Sequence, residues 1–400
     1  MLGWELPPHH AGGMGIVCYQ MCKQLSMTGV DIEFILPYTA TFDIDFMKIT
    51  PAHSQSVNEI KFAGGVYDSK YFDYDRVKTD IGHLDLRQQH DLYAHNVAKL
   101  VETTEFDIIH AHDWLTFKAG MLAKQITGKP LIAHVHATQF DQSAGGTGNP
   151  EVRDIEYSAL MMADQVFSVS QHTKDILVRE YGIPEGKIQV VHNSMDVSGD
   201  IDESNNLYRY LEIMKQNGYK VIVSAGRKTI QKGLSHLIES ASKVIAKNPK
   251  VIFLMVGGGE QEDELTELAS QYGISKNFVF EGWLNGTGKP WRDTFRIADV
   301  FIMPSVSEPF GIAALEAIGY GAPVIVSKQS GVAEVLTNCY KVDFWDVDKM
   351  ADMILSLVNH EALARTMWQL SYEEYKNQSW DKSVDKMRHH YRTALESTVG

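Results

Sequence analysis

Short apolar runs followed by helix-length segments recur along almost the whole of this 400-residue chain, and that alternation restricts the fold more than any other feature. Apolar runs joined through a helix pair in parallel, whereas runs joined by a tight turn pair antiparallel. The pattern therefore predicts parallel α/β sheets covered by helices. Strands are expected at Ile32–Leu36, Ile108–His110, Leu131–His136, Val166–Val169 and Ile188–Val191 in the first half. In the second half they are expected at Val221–Ala225, Val251–Val256, Phe278–Glu281, Val300–Met303 and Val324–Val326. Such a length exceeds one ordinary core, so the two sets are read as two domains, residues 1–198 and 199–379. The polar stretch Asn193–Asn217, with SGDIDESNN near its start, supplies the linker. Thr39–His83 has weak periodicity and reads as an elaborated edge of the first domain. Val384, Met387, Tyr391 and Leu395 recur at helical spacing, which predicts an amphipathic helix over Trp380–Thr398.

Composition removes several classes of function. A chain that is 44% hydrophobic and 22% charged is globular. It has no apolar run of roughly 18 residues that would cross a membrane, and no basic segment leading into an apolar core at its start. Three cysteines cannot build a disulfide framework; Cys18 and Cys22, four apart on an expected helix, read as small hydrophobes in a reducing cytosol. A net charge of −14 argues against a nucleic-acid partner. Any phosphate site must then be made from local cations.

Ser305 to Val326 is the stretch richest in chemistry. Glu308 and Glu316, with seven residues between them, flank the start of a helix. Glu308 lies in the loop at the C-terminal end of the strand Val300–Met303, and Glu316 lies within the helix that follows. The helix N-terminus near Phe310, Gly311 and Ile312 points N–H groups and a positive dipole into the same crevice. Amides for an anion and carboxylates for hydroxyls suit a sugar joined to a diphosphate. The local cations are Arg227 and Lys232, five apart on the loop after Val221–Ala225. Arginine offers a planar fork of donors and lysine a point charge, so the two can converge on one diphosphate.

Two glycine loops and two histidine pairs complete the inventory. Gly12-Gly13-Met14-Gly15 opens an apolar helix, Ile16 to Leu25, and lets backbone amides approach a ligand. Gly257, Gly258 and Gly259 end a strand without the full nicotinamide fingerprint. His110 and His112, and then His134 and His136, stand two apart on successive expected strands. Such pairs are either metal ligands, as in a zinc hydrolase, or packed core histidines.

Glu308-Pro-Phe-Gly-(x)4-Glu316 resembles the E-x7-E signature of retaining glycosyltransferases with the GT-B fold, in the large family that includes glycogen and starch synthases. Arg227 and Lys232 match that family's Gly-Arg-x(4)-Lys-Gly pattern, and HAHDW and WELPPHHAGGMG resemble its first-domain loops. The resemblance runs from Trp4 to the C-terminal helix. It implies two Rossmann-like domains facing across a cleft, with residues 380–400 crossing back to the first domain. Leu2-Gly3 would then end a first strand that is either truncated or preceded by more chain than Met1 marks.

The same resemblance implies the site. Arg227 and Lys232 neutralise a leaving diphosphate, Glu308 holds the sugar and stabilises its oxocarbenium-like centre, and His112 contacts the sugar near the reacting carbon. Glu316 binds the ribose, with Gly13, Gly15, Gly257, Gly259, Trp283, Leu284, Phe310, Gly311 and Ile312 around the donor. His10, His136 and Thr138 line the acceptor side. The reaction implied is hexosyl transfer, favouring glucose, from UDP-glucose or ADP-glucose to an α-glucan, with retention and without a cofactor. Another sugar on a lipid or cell-surface glycan is the alternative, and a zinc hydrolase the more distant one. No metal is expected: Asp43-Ile44-Asp45 and Asp346-Val347-Asp348 spell Asp-x-Asp without the strand context of a metal site.

Overall fold

A computed structural model describes residues 1–9, 12–52, 86–197, 206–286 and 288–399. The chain divides into two compact units, Met1–Phe140 with Thr147–Asn193 and Trp380–Gly400, and Asp141–Gly146 with Ser194–Ser379.

The first unit carries β1 (Glu33–Leu36), β2 (Lys48–Pro51), β3 (Ile109–His112), β4 (Leu131–Val135), β5 (Gln165–Ser168) and β6 (Ile188–Val190). Every pairing is parallel, β1 with β2 and then β3 through β6 in order. Met1–Gly3 joins the two sets. Leu2 N–H donates to His110 O at 2.8 Å, His112 N–H to Leu2 O at 3.2 Å, and Gly3 N–H to Ile35 O at 3.0 Å. These few residues therefore occupy a strand position between β1 and β3. β3 and β4 are buried at every position, His110, His112 and His134 included, as parallel strands covered on both faces are. β3 extends two residues past the expected end, so His112 is a strand residue and not the start of a loop. β2 has no apolar signature, since Lys48 is exposed and Ile49 to Pro51 are half-buried. Most of the Thr39–His83 stretch lies outside the described residues.

The helix Trp380–Val399 belongs to this first unit. Trp380 Nε1–H donates to Gln20 Oε1 at 3.0 Å, Ser383 Oγ–H to His192 O at 2.6 Å, and Tyr391 O–H meets His110 Nδ1 at 2.6 Å. Val384 and Met387, on its inward face, are fully buried.

The second unit holds one parallel sheet of β7 (Lys220–Ala225), β8 (Val251–Val256), β9 (Phe278–Glu281), β10 (Val300–Met303), β11 (Val324–Ser327) and β12 (Tyr340–Val342). Its order is β12-β11-β10-β7-β8-β9. The order runs one way from β7 to β9 and the other way from β10 to β12, so it reverses between β7 and β10. In open α/β sheets ligands bind outside the carboxyl ends of the strands at that reversal. Ile222, Phe253, Ile302 and Ile325 from four neighbouring strands form the core with Leu237 and Ile354 from flanking helices. The expected linker is partly structured, because Arg209–Gln216 forms a helix that buries Leu211. Its residues 198–205 lie outside the described set.

Candidate active site

The loops after β7 and β10 meet at the reversal point of the second sheet. Lys232 Nζ donates to Glu308 Oε2 at 2.6 Å, and Ser305 Oγ–H donates to the same oxygen at 2.9 Å. Main-chain bonds fix Glu308 in place: its N–H donates to Gln329 O at 2.8 Å and its carbonyl accepts from Gly331 N–H at 3.0 Å. Gly233, at φ 63°, makes the approach of the loops possible, since a Cβ there would lie 2.2 Å from Pro304 O. Arg227 is half-buried, and its Nη2 donates to Gln231 Oε1 at 3.0 Å. The structure thus joins Lys232 and Glu308 directly and ties Arg227 to the Glu308 loop through Gln231, whose Nε2 donates to Ser307 O at 3.0 Å. Between the two cations it adds Gln231, a neutral residue that carried no signal of its own.

Downstream of Glu308, Phe310 is buried and Gly311, at φ 103°, precedes the helix Ile312–Gly319. A first helical turn leaves its N–H groups without intrahelical acceptors, a natural seat for an anion. Glu316 sits one turn in. It is buried, and Trp291 Nε1–H donates to its Oε1 at 2.8 Å. Burial pushes its carboxyl up to about 8, so the acid holds its proton at neutral pH, although the indole N–H pulls the other way. Trp291 was missed from sequence because it lies on a separate helix, Lys289–Arg296, with no local motif.

On the other side of β7 the backbones of two loops touch. A Cβ at Gly257 would lie 2.0 Å from Gly226 O, and one at Gly259 would lie 2.2 Å from Lys228 O. Both glycines are buried, and the Gly257 N–H is already engaged by Glu281 O and Gly282 O, each at 3.2 Å. Close main-chain packing accounts for these two residues without any ligand. Lys228 is fully buried beside them, donating to Glu281 O at 2.8 Å and pairing with Glu262 at 3.3 Å. Trp283, by contrast, is 66% exposed, with the half-buried Leu284 after it.

In the first unit Gly13 is exposed at the first position of the helix Gly13–Met27, while Gly15 is buried within its opening turn. His10 lies outside the described residues. Thr138 is buried. Four imidazoles form a stacked cluster at the ends of β3 and β4. The centroids of His110 and His112 are 4.4 Å apart and those of His134 and His136 are 4.3 Å apart. His110 Nε2 pairs with His134 Nδ1 at 3.1 Å, and His112 Nδ1 with His136 Nε2 at 3.0 Å. Burial, reinforced for three of them by neighbouring imidazoles, drives all four pKa values down, so the rings are neutral. Asp113, at φ 58°, ties the two strand ends together, since its Oδ1 accepts from His136 N–H at 2.6 Å.

Metal ligation was the rival reading of these histidines. Donor atoms of His110, His112 and His134, and likewise of Cys18, His112 and His136, lie within 4.8 Å of one another. His112 Nε2, His134 Nε2 and His136 Nδ1 are buried without a hydrogen-bond partner. The Cys18 thiol is held well above its usual range by burial and so keeps its proton, which disfavours it as a ligand. The Asp-x-Asp pairs have other work or none. Asp346 caps the helix Val347–Asn359 and Asp348 pairs with Lys243 at 2.6 Å, while Asp43 and Asp45 are simply exposed.

Residues 11–198 match the family model described as Glycosyltransferase Family 4, and residues 212–374 match that of Glycosyl transferases group 1. An uncharacterized glycosyltransferase of Methanocaldococcus jannaschii is 28% identical over 99% of this chain and 98% of its own length. A D-inositol 3-phosphate glycosyltransferase of Rhodococcus opacus is 26% identical, covering 96% and 86%, and a glycogen synthase of Mycobacterium tuberculosis is 23% identical, covering 84% and 80%. Among solved structures, sucrose-phosphate synthase from Thermosynechococcus elongatus superposes with a TM-score of 0.75 at 17% identity, over 99% of each chain. Anabaena HepE in complex with UDP-glucose does so with 0.68 at 18% identity, over 98% and 99%.

Proposed function

This chain belongs to the glycosyltransferases of the GT-B fold and family-four type, and from that premise we propose that it moves a glucosyl unit from a nucleotide diphosphate sugar to an α-glucan hydroxyl, with retention. The hydrolase alternative left open by the paired histidines gives way to a transferase. One observation carries the substrate reading: Arg227, Lys232 and Glu308 converge, with the helix start at Gly311 and Ile312, at the reversal point of the second sheet.

A diphosphate there meets two cations and a helix N-terminus. Charge that builds on the leaving oxygens is stabilised by groups already in place, an effect worth about two to three orders of magnitude per donor. Glu308, paired with Lys232, takes the sugar hydroxyls, its carboxylate opposing the positive charge of the oxocarbenium-like centre. With no nucleophile assigned on the far face, the leaving phosphate accepts the proton of the attacking hydroxyl. Glu316 takes the ribose as a neutral acid, and Trp283 and Leu284 lie on the base side. Of the first unit's residues, His112 is read as the sugar contact, Gly13 and Gly15 as donor contacts, and His10, His136 and Thr138 as acceptor-side.

A relative named for inositol phosphate matches over 96% of this chain, which favours, as a second reading, an acceptor other than α-glucan on the same donor chemistry. Incubation with UDP-, ADP- and GDP-glucose, with and without glycogen or inositol phosphate, separates the two. Arg227→Ala and Lys232→Ala should each lower turnover by at least about two orders of magnitude with the fold intact. Wild-type turnover in either variant, or none of the three donors consumed by the unmodified chain, sinks the proposal.

A further inference from the structure

We propose that Gln231 is a positioning residue, its amide holding the Arg227 guanidinium in register with the Glu308 loop. The inference rests on reading Arg227 as the diphosphate clamp. The amide of Gln231 spans the two loops: Oε1 accepts from Arg227 Nη2 at 3.0 Å, and Nε2 donates to Ser307 O at 3.0 Å. A guanidinium only donates and a carbonyl only accepts, so chemistry allows one orientation of this amide, and a flipped one would lose both bonds. The main chain adds a third tie, since Gln231 O accepts from Val306 N–H at 2.8 Å. The side chain is 2% exposed, so water cannot replace either partner.

A buried amide is tolerated only when both ends are bonded, and here one end holds the Glu308 loop and the other holds the guanidinium. The geometric consequence is specific. Lys232, the next residue, is tied directly to Glu308, but Arg227 lies four residues earlier on a long side chain. Gln231 removes that freedom, giving the planar fork one orientation before any donor arrives. Preorganisation of this kind acts on the chemical step, because a misplaced donor of about 1 Å costs about 100-fold.

The test is a double-mutant cycle on the full chain, with whichever donor the unmodified protein turns over. Gln231→Met keeps the length and removes both bonds. It should lower kcat by about 10- to 100-fold and move the donor KM by less. In the Arg227→Ala background the same change should cost less than about twofold, because the group it positions is gone. Should Gln231→Met fail to fold, Gln231→Glu carries the same cycle; it can still pair with Arg227 but opposes the Ser307 carbonyl. Wild-type kcat in the Gln231 variant, or losses that multiply independently of Arg227, overturns the positioning role. Wild-type turnover in Arg227→Ala alone overturns the clamp reading instead, and so tells the two failures apart.

Discussion

At the scale of a residue, Gly233 shows how much one hydrogen atom decides. Its φ of 63° is shared with Gly273 in the same unit, at 71°. The surroundings differ: a Cβ at Gly273 meets nothing within 4 Å, while one at Gly233 would overlap the Pro304 carbonyl. The obstacle is main chain at the end of β10 and cannot swing away. Gly273→Ala should therefore cost about 1 kcal/mol, the conformational term alone. Gly233→Ala should cost several times that and displace Glu308 from Lys232. Paired thermal melts check the stability difference, and turnover checks the displacement. Equal melting temperatures for the two variants would mean the loops can part freely. The residues of this site were legible in proportion to their charge. Arg227, Lys232 and Glu308 stand at the ends of apolar strands, where a charged residue has a reason to be. Gln231 and Trp291 were not legible, because a neutral amide in a turn and an indole on a polar helix look like ordinary packing until their partners, 76 and 25 residues away, are seen.

At the scale of elements, strands were legible from apolar runs, and β8, β9 and β10 have the expected ends. β2 and β12 were not, because Lys48–Pro51 and Tyr340–Val342 are short edge strands with little buried surface. The helix Trp380–Val399 was foreseen as an amphipathic element, but periodicity says nothing of what it docks on. Its attachment depends on tertiary bonds, of which Tyr391 to His110 is the most buried. Removing that hydroxyl strands a ring nitrogen that water does not reach. Tyr391→Phe should destabilise the first unit by about 1–3 kcal/mol, and hydrogen exchange should speed up first in residues 380–399 and along β3. Exchange unchanged in both would show that the helix is held by its apolar face alone.

At the scale of the whole molecule, the two units carry buried ionisable groups whose pKa values shift in opposite senses, so acid should act on them oppositely. In the first unit His110, His112, His134 and His136 have pKa values pushed down by burial, as does His90, to about 4. The unfolded chain binds these protons near pH 6.5 and the folded one does not. Their contribution is present above pH 6.5 and is lost as pH falls below it, each by up to about 1.4 kcal/mol per pH unit. In the second unit Glu316 has its pKa raised to about 8, so there the folded state holds a proton that the unfolded state has released. That contribution is full below about pH 4.5 and is lost as pH rises towards 8. Between about pH 5 and 6.5 acidification should therefore loosen the first unit while tightening this part of the second. Hydrogen exchange read separately on β3–β4 and on β10 and its following helix, at pH 5.5 and 7.5, should show protection changing in opposite directions. Glu316→Gln should flatten the response of the second unit and leave that of the first untouched. Parallel responses in the two units, or an unchanged slope in Glu316→Gln, would mean that Glu316 is ionised at neutral pH and reaches its ligand as a carboxylate.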